Sequence, residues 1–349
     1  MPEHETAPQG HEVVVVGASA GGVSALRVLT RSLQPGFPAA LLVAQHLGEG
    51  SHLVRVLQYE SVLPLDWARD GEAIAPGRIY LAPWDVHLLV HDSHLMLRRG
   101  PRENLSRPAI DPLFRSAACS LGSRLIGVVL SGLLSDGSAG LRAIKRCGGI
   151  AVVQDPRTAQ APDMPRNALK ATPVDHCIGI DDMAACLAQL VRTPAGPMPD
   201  IPYDIRLEAS IAGQELASME HQNALGQPST FSCPECGGVL WEMSDPCALR
   251  FRCHVGHAYQ ADALLHADSE RADEVLWSLL RQHRERAALT RRMAERETSP
   301  PMAARLRSRA VGYEEDAAVI ERLLARARDA PTRDEDAGNL DDDRGRGPS

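Results

Sequence analysis

Ser19 stands in Gly17-Ala18-Ser19-Ala20-Gly21-Gly22, directly after the β-branched run Val13-Val14-Val15-Val16. Such a run ending in Gly-x-Ser-x-Gly reads as a strand turning sharply into a helix. That turn lifts the hydroxyl clear of the sheet, where it can act as a nucleophile. The flanking glycines permit the tight backbone because they carry no Cβ. The same segment also reads as a plain strand-to-helix turn or a phosphate loop, although a dinucleotide fingerprint would need glycine where Ser19 stands. His46 follows a second apolar run in Ala44-Gln45-His46, and Asp136 follows a later one in Val129-Leu130-Ser131-Gly132-Leu133-Leu134-Ser135-Asp136-Gly137.

In open α/β sheets, sites form at the carboxyl ends of the strands, so these three side chains fall along one edge. Together they can perform nucleophilic acyl chemistry. His46 takes the proton from Ser19, Asp136 holds the imidazole in the right tautomer, and backbone N–H groups of the loops stabilise the oxyanion. Duller readings compete. With thirteen histidines in the chain, a histidine at a strand end is often only solvated, as expected of His52, His87, His91 and His94. Asp136-Gly137 also fits a helix cap. Asp155, in Val153-Gln154-Asp155-Pro156, ends another strand and rivals Asp136 for the third role.

The elements that must position these residues are legible as short apolar runs at Val13–Val16, Ala40–Ala44, Leu125–Leu130 and Ile150–Val153. They lack clean alternation, which marks strands buried on both faces of a parallel sheet. Helical patterns lie between them at Val23–Leu33, Asp111–Leu121 and Gly137–Arg146. Asp111-Pro112 reads as a capping carboxylate followed by proline at the first helical position, and Gly148-Gly149 as a helix stop. The expectation is a doubly wound, mainly parallel, Rossmann-like three-layer α/β domain over residues 12–192. Its chain order of Ser, His, Asp, with the serine on the first strand, differs from that of ordinary α/β-hydrolases.

Beyond it, Thr193-Pro194-Ala195-Gly196-Pro197-Met198-Pro199 opens what reads as a linker over 193–230. Four of the eight cysteines then fall between 233 and 253, a metal-site pattern rather than a disulfide framework. Cys119, Cys147, Cys177 and Cys186 read instead as small core residues. Cys233-Pro234-Glu235-Cys236-Gly237-Gly238 looks like a zinc knuckle, and Cys253 and His257 supply the second pair of ligands. Cys247 and His254 are alternatives. Four N/S donors make a closed structural zinc site over residues 231–262, with no position for a catalytic water. A redox Cys-x-x-Cys is the competing reading, disfavoured by the absence of a thioredoxin-like context.

Residues 263–330 carry two helical stripes. One runs through Leu276, Leu280, His283 and Ala287. The other runs through Leu306, Ala310, Tyr313, Ala317, Ile320 and Leu324, and Ser299-Pro300-Pro301 separates the two. These predict an αα-hairpin packed on itself or on the zinc module, with dimerisation through the stripe as the alternative. Segments 1–11 and 331–349 read as disordered, the latter with Asp341-Asp342-Asp343.

Composition excludes several classes. The chain has 349 residues, 44% of them hydrophobic, with a net charge of −8. That balance argues against general nucleic-acid affinity; Trp241, Arg250 and Arg252 are only a weak signal in its favour. Met1 to His11, polar and acidic, does not read as a secretory leader, and no apolar run comes near the ~20 residues of a membrane span. A cytoplasmic, soluble protein without membrane insertion is expected.

The first domain also resembles the catalytic domain of the chemotaxis protein-glutamate methylesterases. The likeness rests on Val16 to Gly22, Gln45-His46, Pro76 to Pro83, Arg107-Pro108-Ala109-Ile110-Asp111-Pro112-Leu113-Phe114, Gly127 to Gly132 with Asp136-Gly137, and Met164-Pro165-Arg166. It runs in order over about residues 12–192. The resemblance implies hydrolysis of glutamate γ-methyl esters on chemoreceptors, releasing methanol; since amide and ester hydrolysis share the tetrahedral intermediate, the same site could also deamidate glutamine. It puts the family's serine, histidine and aspartate on Ser19, His46 and Asp136, and its oxyanion and substrate loop on Ser131 to Ser135. Leu133, Ala20 and Arg166 are its candidate lining. No cofactor is implied for catalysis, and signalling proteins are the implied partners.

Three departures stand out. Leu134 sits where the family usually has glycine, Asp163 replaces the glycine before Met-Pro-Arg, and, with the first catalytic strand starting near Glu12, no receiver domain is expected ahead of it. Leu134 motivates an alternative, a signalling adaptor that keeps the fold and binds proteins through its zinc and helical parts.

Overall fold

The computed structural model describes residues 10–214 and 218–329. Its centre is a seven-stranded sheet in the order β3-β4-β2-β1-β7-β8-β9, every neighbouring pair parallel. The strands are β1 (Val13–Ala18), β2 (Ala40–Gln45), β3 (Leu65–Trp67), β4 (Ile79–Leu81), β7 (Leu125–Val129), β8 (Ile150–Gln154) and β9 (His176–Ile178). A separate hairpin, β5 (His87–His91) with β6 (His94–Arg98), precedes the helix that enters β7. From β1 the chain winds outward to β2 on one side and later returns to β7 on the other. The carboxyl ends of β1, β2 and β7 therefore surround a topological switch point, the place where such sheets build sites.

The apolar runs are continuous because both faces of the sheet are covered. Val13 and Val15 enter one core with Leu42, Leu113, Phe114, Leu141 and Met164. That layer is built from α3 (Ile110–Leu121), α4 (Ser138–Arg146) and α5 (Asp163–Ala171). Val14 and Val16 enter the other, with Leu26, Leu29, Leu57 and Leu187. Its helices are α1 (Gly22–Ser32), α2 (Leu53–Gln58) and α6 (Ile180–Leu190). The expected doubly wound domain is thus present.

Several expectations need correction. Residues 193–230 are not an open linker. They carry α7 (Tyr203–Gln214) and α8 (Met219–Leu225) and begin β10 (Gly226–Ser232). Proline and glycine mark only the first stretch; the amphipathic α7 behind it buries Ile205, Leu207 and Ile211. Asp111 does not cap its own helix. It lies within the first turn of α3, and the cap comes from Asp136, which accepts the N–H groups of Ile110 (2.7 Å) and Asp111 (3.2 Å). His87 is buried, not solvated. Its Nε2 donates to the Pro101 carbonyl (2.9 Å) and its Nδ1 accepts from the Ala109 N–H (3.3 Å). Burial lowers its pKa, so it stays a neutral structural group. Cys177 is exposed on the edge strand β9. Most of the segments 1–11 and 331–349 lie outside the described residues, but His11 is buried and donates its N–H to Val191 (3.3 Å).

Four antiparallel strands in the order β10-β11-β12-β13 follow: β10, β11 (Val239–Met243), β12 (Arg250–Cys253) and β13 (Ala258–Gln260). They lie in one compact unit with the parallel sheet. A buried ionic cluster fastens them there. Arg252 pairs with Glu103 (3.0 Å) and Glu208 (3.1 Å), Arg250 with Glu208 (2.5 Å) and Asp245 (3.4 Å), and Arg115 with Glu103 (2.5 Å). Arg142 of α4 pairs with Asp245. Burial alone would raise the Glu208 pKa, but Arg250, Arg115 and Arg252 hold it well below the usual carboxylate range. Arg250 and Arg252 therefore point inward, which removes the weak nucleic-acid signal.

The second compact unit begins at His266. It holds most of α9 (Ala261–Arg296) and all of α10 (Pro300–Asp329). Leu280, Ala317 and Leu324 pack together with Leu276 and Ile320 at the flank. Arg284 pairs with Glu321 and Arg291 with Glu314 (2.6 Å), so the helices run antiparallel. The stripes read from the sequence do face each other. No helix among the described residues is long and apolar enough to cross a membrane.

Candidate active site

Ser19 is the first residue beyond β1. Its N–H donates to the Ser131 carbonyl past β7 (2.9 Å), and its own carbonyl accepts from Gly22 N–H (2.8 Å) and Gln45 Nε2 (2.9 Å). These bonds fix the elbow from three elements. Two glycines are required by space and conformation. Gly21 has φ 71°, the left-handed region that favours glycine. A Cβ on Gly132 would come within 2.9 Å of Ser19 Cβ and 1.9 Å of Met164 Sδ.

His46 follows β2, tied by its N–H to the Ala18 carbonyl (3.2 Å). Its Nε2 donates to Asp136 Oδ2 at 2.8 Å. The histidine side chain is 19% exposed and the aspartate 2%, so the pair runs from the surface into the protein. With Nε2 committed to Asp136, Nδ1 is the nitrogen left to receive a proton. Among the described residues no hydrogen bond joins Ser19 Oγ to His46; contacts between nucleophile and base often tighten only when substrate is present.

Asp136 also accepts from Asn104 Nδ2 (2.9 Å) and the Gly137 N–H (3.0 Å), besides its two bonds to the start of α3. Burial opposes its charge, but His46, the Ile110 N–H and Asn104 outweigh that and lower its pKa. The helix N-terminus adds a favourable field. The carboxylate stays ionised, as an orienting group must. Asp111 lies beside it and shares the Asn104 amide (3.1 Å). Burial and the charge of Asp136 push Asp111 up to about 7. The rival Asp155 instead caps the turn after β8, accepting from Arg157 N–H (2.9 Å), and does not reach His46.

The segment from Ser131 to Ser135 is fastened to α5 and the turn before it. Gly132 N–H donates to Ala161 O, Met164 N–H to Gly132 O (both 2.9 Å), and Asn167 Nδ2 to Leu134 O (2.9 Å). Leu133 is 54% exposed, and Ala20 and Arg166 are exposed as well. Among the described residues the Ala20 and Leu133 N–H groups have no hydrogen-bond acceptor in the protein. Leu134 has φ 60°, so the residue that departs from the expected glycine does occupy the left-handed region. Asn104, which sequence reasoning missed, lies in an irregular loop where neither periodicity nor spacing marks it.

A second cluster lies in the four-stranded module. One donor atom each from Cys233, Cys236, Cys253 and His257 all fall within 4.8 Å of one another. Cys236 and Cys253 sulfurs are 3.7 Å apart, and His257 Nδ1 lies 3.5 Å from Cys253 and 3.7 Å from Cys233. Tetrahedral zinc with bonds of about 2.3 Å to sulfur separates its ligands by about 3.8 Å, so the donor set fits such an ion. His257 Nε2 faces Glu235 (3.2 Å), which aims Nδ1 inward. Cys247 and His254 are exposed and outside this group.

The CheB methylesterase family model matches residues 14–187. A putative protein-glutamate methylesterase/protein-glutamine glutaminase of Leptospira interrogans is 39% identical over 183 residues, covering 52% of this chain and 95% of that protein. Protein-glutamate methylesterase/protein-glutamine glutaminase 2 of Anaeromyxobacter dehalogenans is also 39% identical over 183 residues, and the match spans 54% of that protein. The crystal structure of the Thermotoga maritima CheB methylesterase catalytic domain superposes with a TM-score of 0.50 at 31% identity. It covers 52% of this chain and 98% of that one.

A left-handed non-glycine residue costs roughly 1–3 kcal/mol, and glycine gives back part of that through its unfolded-state entropy. Leu134→Gly is therefore expected to raise stability by about 1 kcal/mol in chemical denaturation. A loss of stability would mean that packing of the leucine side chain outweighs the backbone strain.

Proposed function

The chain belongs to the CheB methylesterase family, and from that premise we propose that it hydrolyses glutamate γ-methyl esters on a chemoreceptor or related signalling protein, and deamidates glutamine at the same positions. The observation that carries this reading is the buried Asp136 carboxylate bonded to His46 at the strand edge where Ser19 emerges. Ser19 Oγ attacks the ester carbonyl and its proton passes to His46 Nδ1. The carbonyl oxygen becomes an oxyanion facing the Ala20 and Leu133 N–H groups, each such donor contributing about 3 kcal/mol to the transition state. Collapse breaks the carbon–methoxy bond, and His46 returns the proton to the departing oxygen, releasing methanol. Water then attacks the acyl-serine by the same relay, leaving glutamate. Asp136 stays charged throughout and stabilises the imidazolium. An amide passes through the same tetrahedral intermediate, with ammonia as leaving group.

The cysteine-histidine cluster is a structural zinc site in this reading. Three thiolates and an imidazole complete a tetrahedron, so the ion supplies folding energy to the module rather than a reactive water. Thiolate donors of this kind fit a reducing compartment, the cytoplasm.

Ser19→Ala and His46→Ala are expected to lower methanol release from methylated receptor by roughly 10⁴-fold or more, in protein that melts like the wild type. Unchanged release from Ser19→Ala would defeat the serine mechanism, and no release from wild type would favour a non-catalytic adaptor. Elemental analysis of anaerobically purified protein is expected to find one zinc per chain, lost in Cys233→Ser together with the fold of residues 226–260. Stoichiometric metal in that variant would contradict the assignment.

A further inference from the structure

The loop between β6 and α3 is where the four-stranded module touches the first domain by main chain. Asn104 N–H donates to the Ala258 carbonyl of β13 (2.8 Å), and Ala258 N–H donates to Arg102 (3.3 Å). Asn104 is buried and has φ 49°, a conformation asparagine tolerates better than most residues. Every polar atom of its side chain is used. Nδ2 donates to Asp136 and to Asp111, while Oδ1 accepts the Gln260 N–H at 2.9 Å. Two carboxylates demand a donor and a backbone N–H demands an acceptor, so the amide has only one workable orientation.

Gln260 makes a second approach. Its Nε2 donates to the Ser135 carbonyl (2.7 Å), and Asp262 accepts from the Ser135 hydroxyl (2.6 Å). Ser135 directly precedes Asp136 and closes the segment that carries Leu133. The module therefore grips Asp136 from both sides, through the Asn104 amide and through the main chain before it. Docking alone does not require these bonds. The cluster of Arg115, Arg250, Arg252, Glu103 and Glu208 already holds the module in place. What Gln260 and Asp262 add is contact with the loop that leads into the carboxylate.

We propose that the four-stranded module is a working part of the catalytic site, with Asn104 and Gln260 as positioning residues that fix Asp136 and, through it, the His46 ring. This rests on the Ser19–His46–Asp136 reading above. It goes beyond that reading by giving the C-terminal module a catalytic consequence: whatever shifts β13 slackens the carboxylate. Buried hydrogen bonds to a charged group are strong and mutually dependent, and an error of about 1 Å in a catalytic group can cost roughly 100-fold in rate.

The test uses the full-length, zinc-replete protein. A fluorophosphonate probe reports the maximal labelling rate of Ser19 and the probe concentration at half-saturation. Nitrogen-15 histidine NMR reports the His46 Nε2 proton shared with Asp136, assigned by its loss in His46→Ala. Gln260→Met keeps the volume and removes the donor to Ser135. It is expected to lower the maximal rate about tenfold with half-saturation unchanged, and to shift the His46 proton, while zinc content and melting temperature stay near wild type. Asn104→Gly keeps the left-handed backbone and removes the amide; it is expected to lose roughly 10–100-fold.

A folded, zinc-replete Gln260→Met with wild-type labelling and an unmoved His46 proton would overturn the proposal. Should Asn104→Gly fail to fold, Gln260→Met decides alone. Should wild type not label at all, the serine-hydrolase reading fails. The His46 proton in Gln260→Met then still decides whether the module sets the carboxylate: a shift supports the coupling and no shift rejects it.

Discussion

Asp136 holds a negative charge in a place closed to water, and it can do so because five donors surround it: His46, Asn104 and the N–H groups of Ile110, Asp111 and Gly137. An isolated buried carboxylate would take up a proton instead. Asp111 illustrates this, since it lies beside Asp136 with fewer donors and is pushed up to about 7. Only one of the two neighbouring acids can be charged at little cost, and the start of α3 selects Asp136. The strand edge, the α3 cap and the loop carrying Asn104 must all be in register for that charge to exist. The orientation of His46 follows from it.

The same constraint explains why the four-stranded module is more than an appendage. Five charged side chains, Arg115, Arg250, Arg252, Glu103 and Glu208, are buried where the module meets the parallel-sheet domain. Breaking one partner of such a group leaves an uncompensated charge, at about 3–5 kcal/mol. The module is thereby committed to one position, and that position places Gln260 beside Ser135 and Asn104. Metal binding at Cys233, Cys236, Cys253 and His257 would stiffen the two turns from which β11 and β13 start, and would so tie the donor cluster to the module and the carboxylate.

Much of this was legible because it is local. Four β-branched residues in a row announce a strand covered on both faces, and glycines around a serine announce a sharp turn. The thiol and imidazole spacing names four donors that do cluster. What was not legible depends on partners far away in the chain. Asp111 looks like a cap by its place before a proline, yet the cap is Asp136, twenty-five residues on. Arg250 and Arg252 look like a basic surface until Glu103 and Glu208 are brought to them. His87 looks solvated until Pro101 and Ala109 close over it. Asn104 carries no pattern of its own, because its role exists only once β13 arrives. Residues 193–230 begin with proline and glycine, which hid the amphipathic α7 that supplies Glu208.

The central claim is that Ser19 is an activated nucleophile whose base is His46. Intact-mass analysis after treatment with a fluorophosphonate tests it most directly. One adduct per chain, mapped to Ser19 and absent from both Ser19→Ala and His46→Ala, is the predicted result. Labelling that persists in His46→Ala, or an adduct on another residue, would contradict the account.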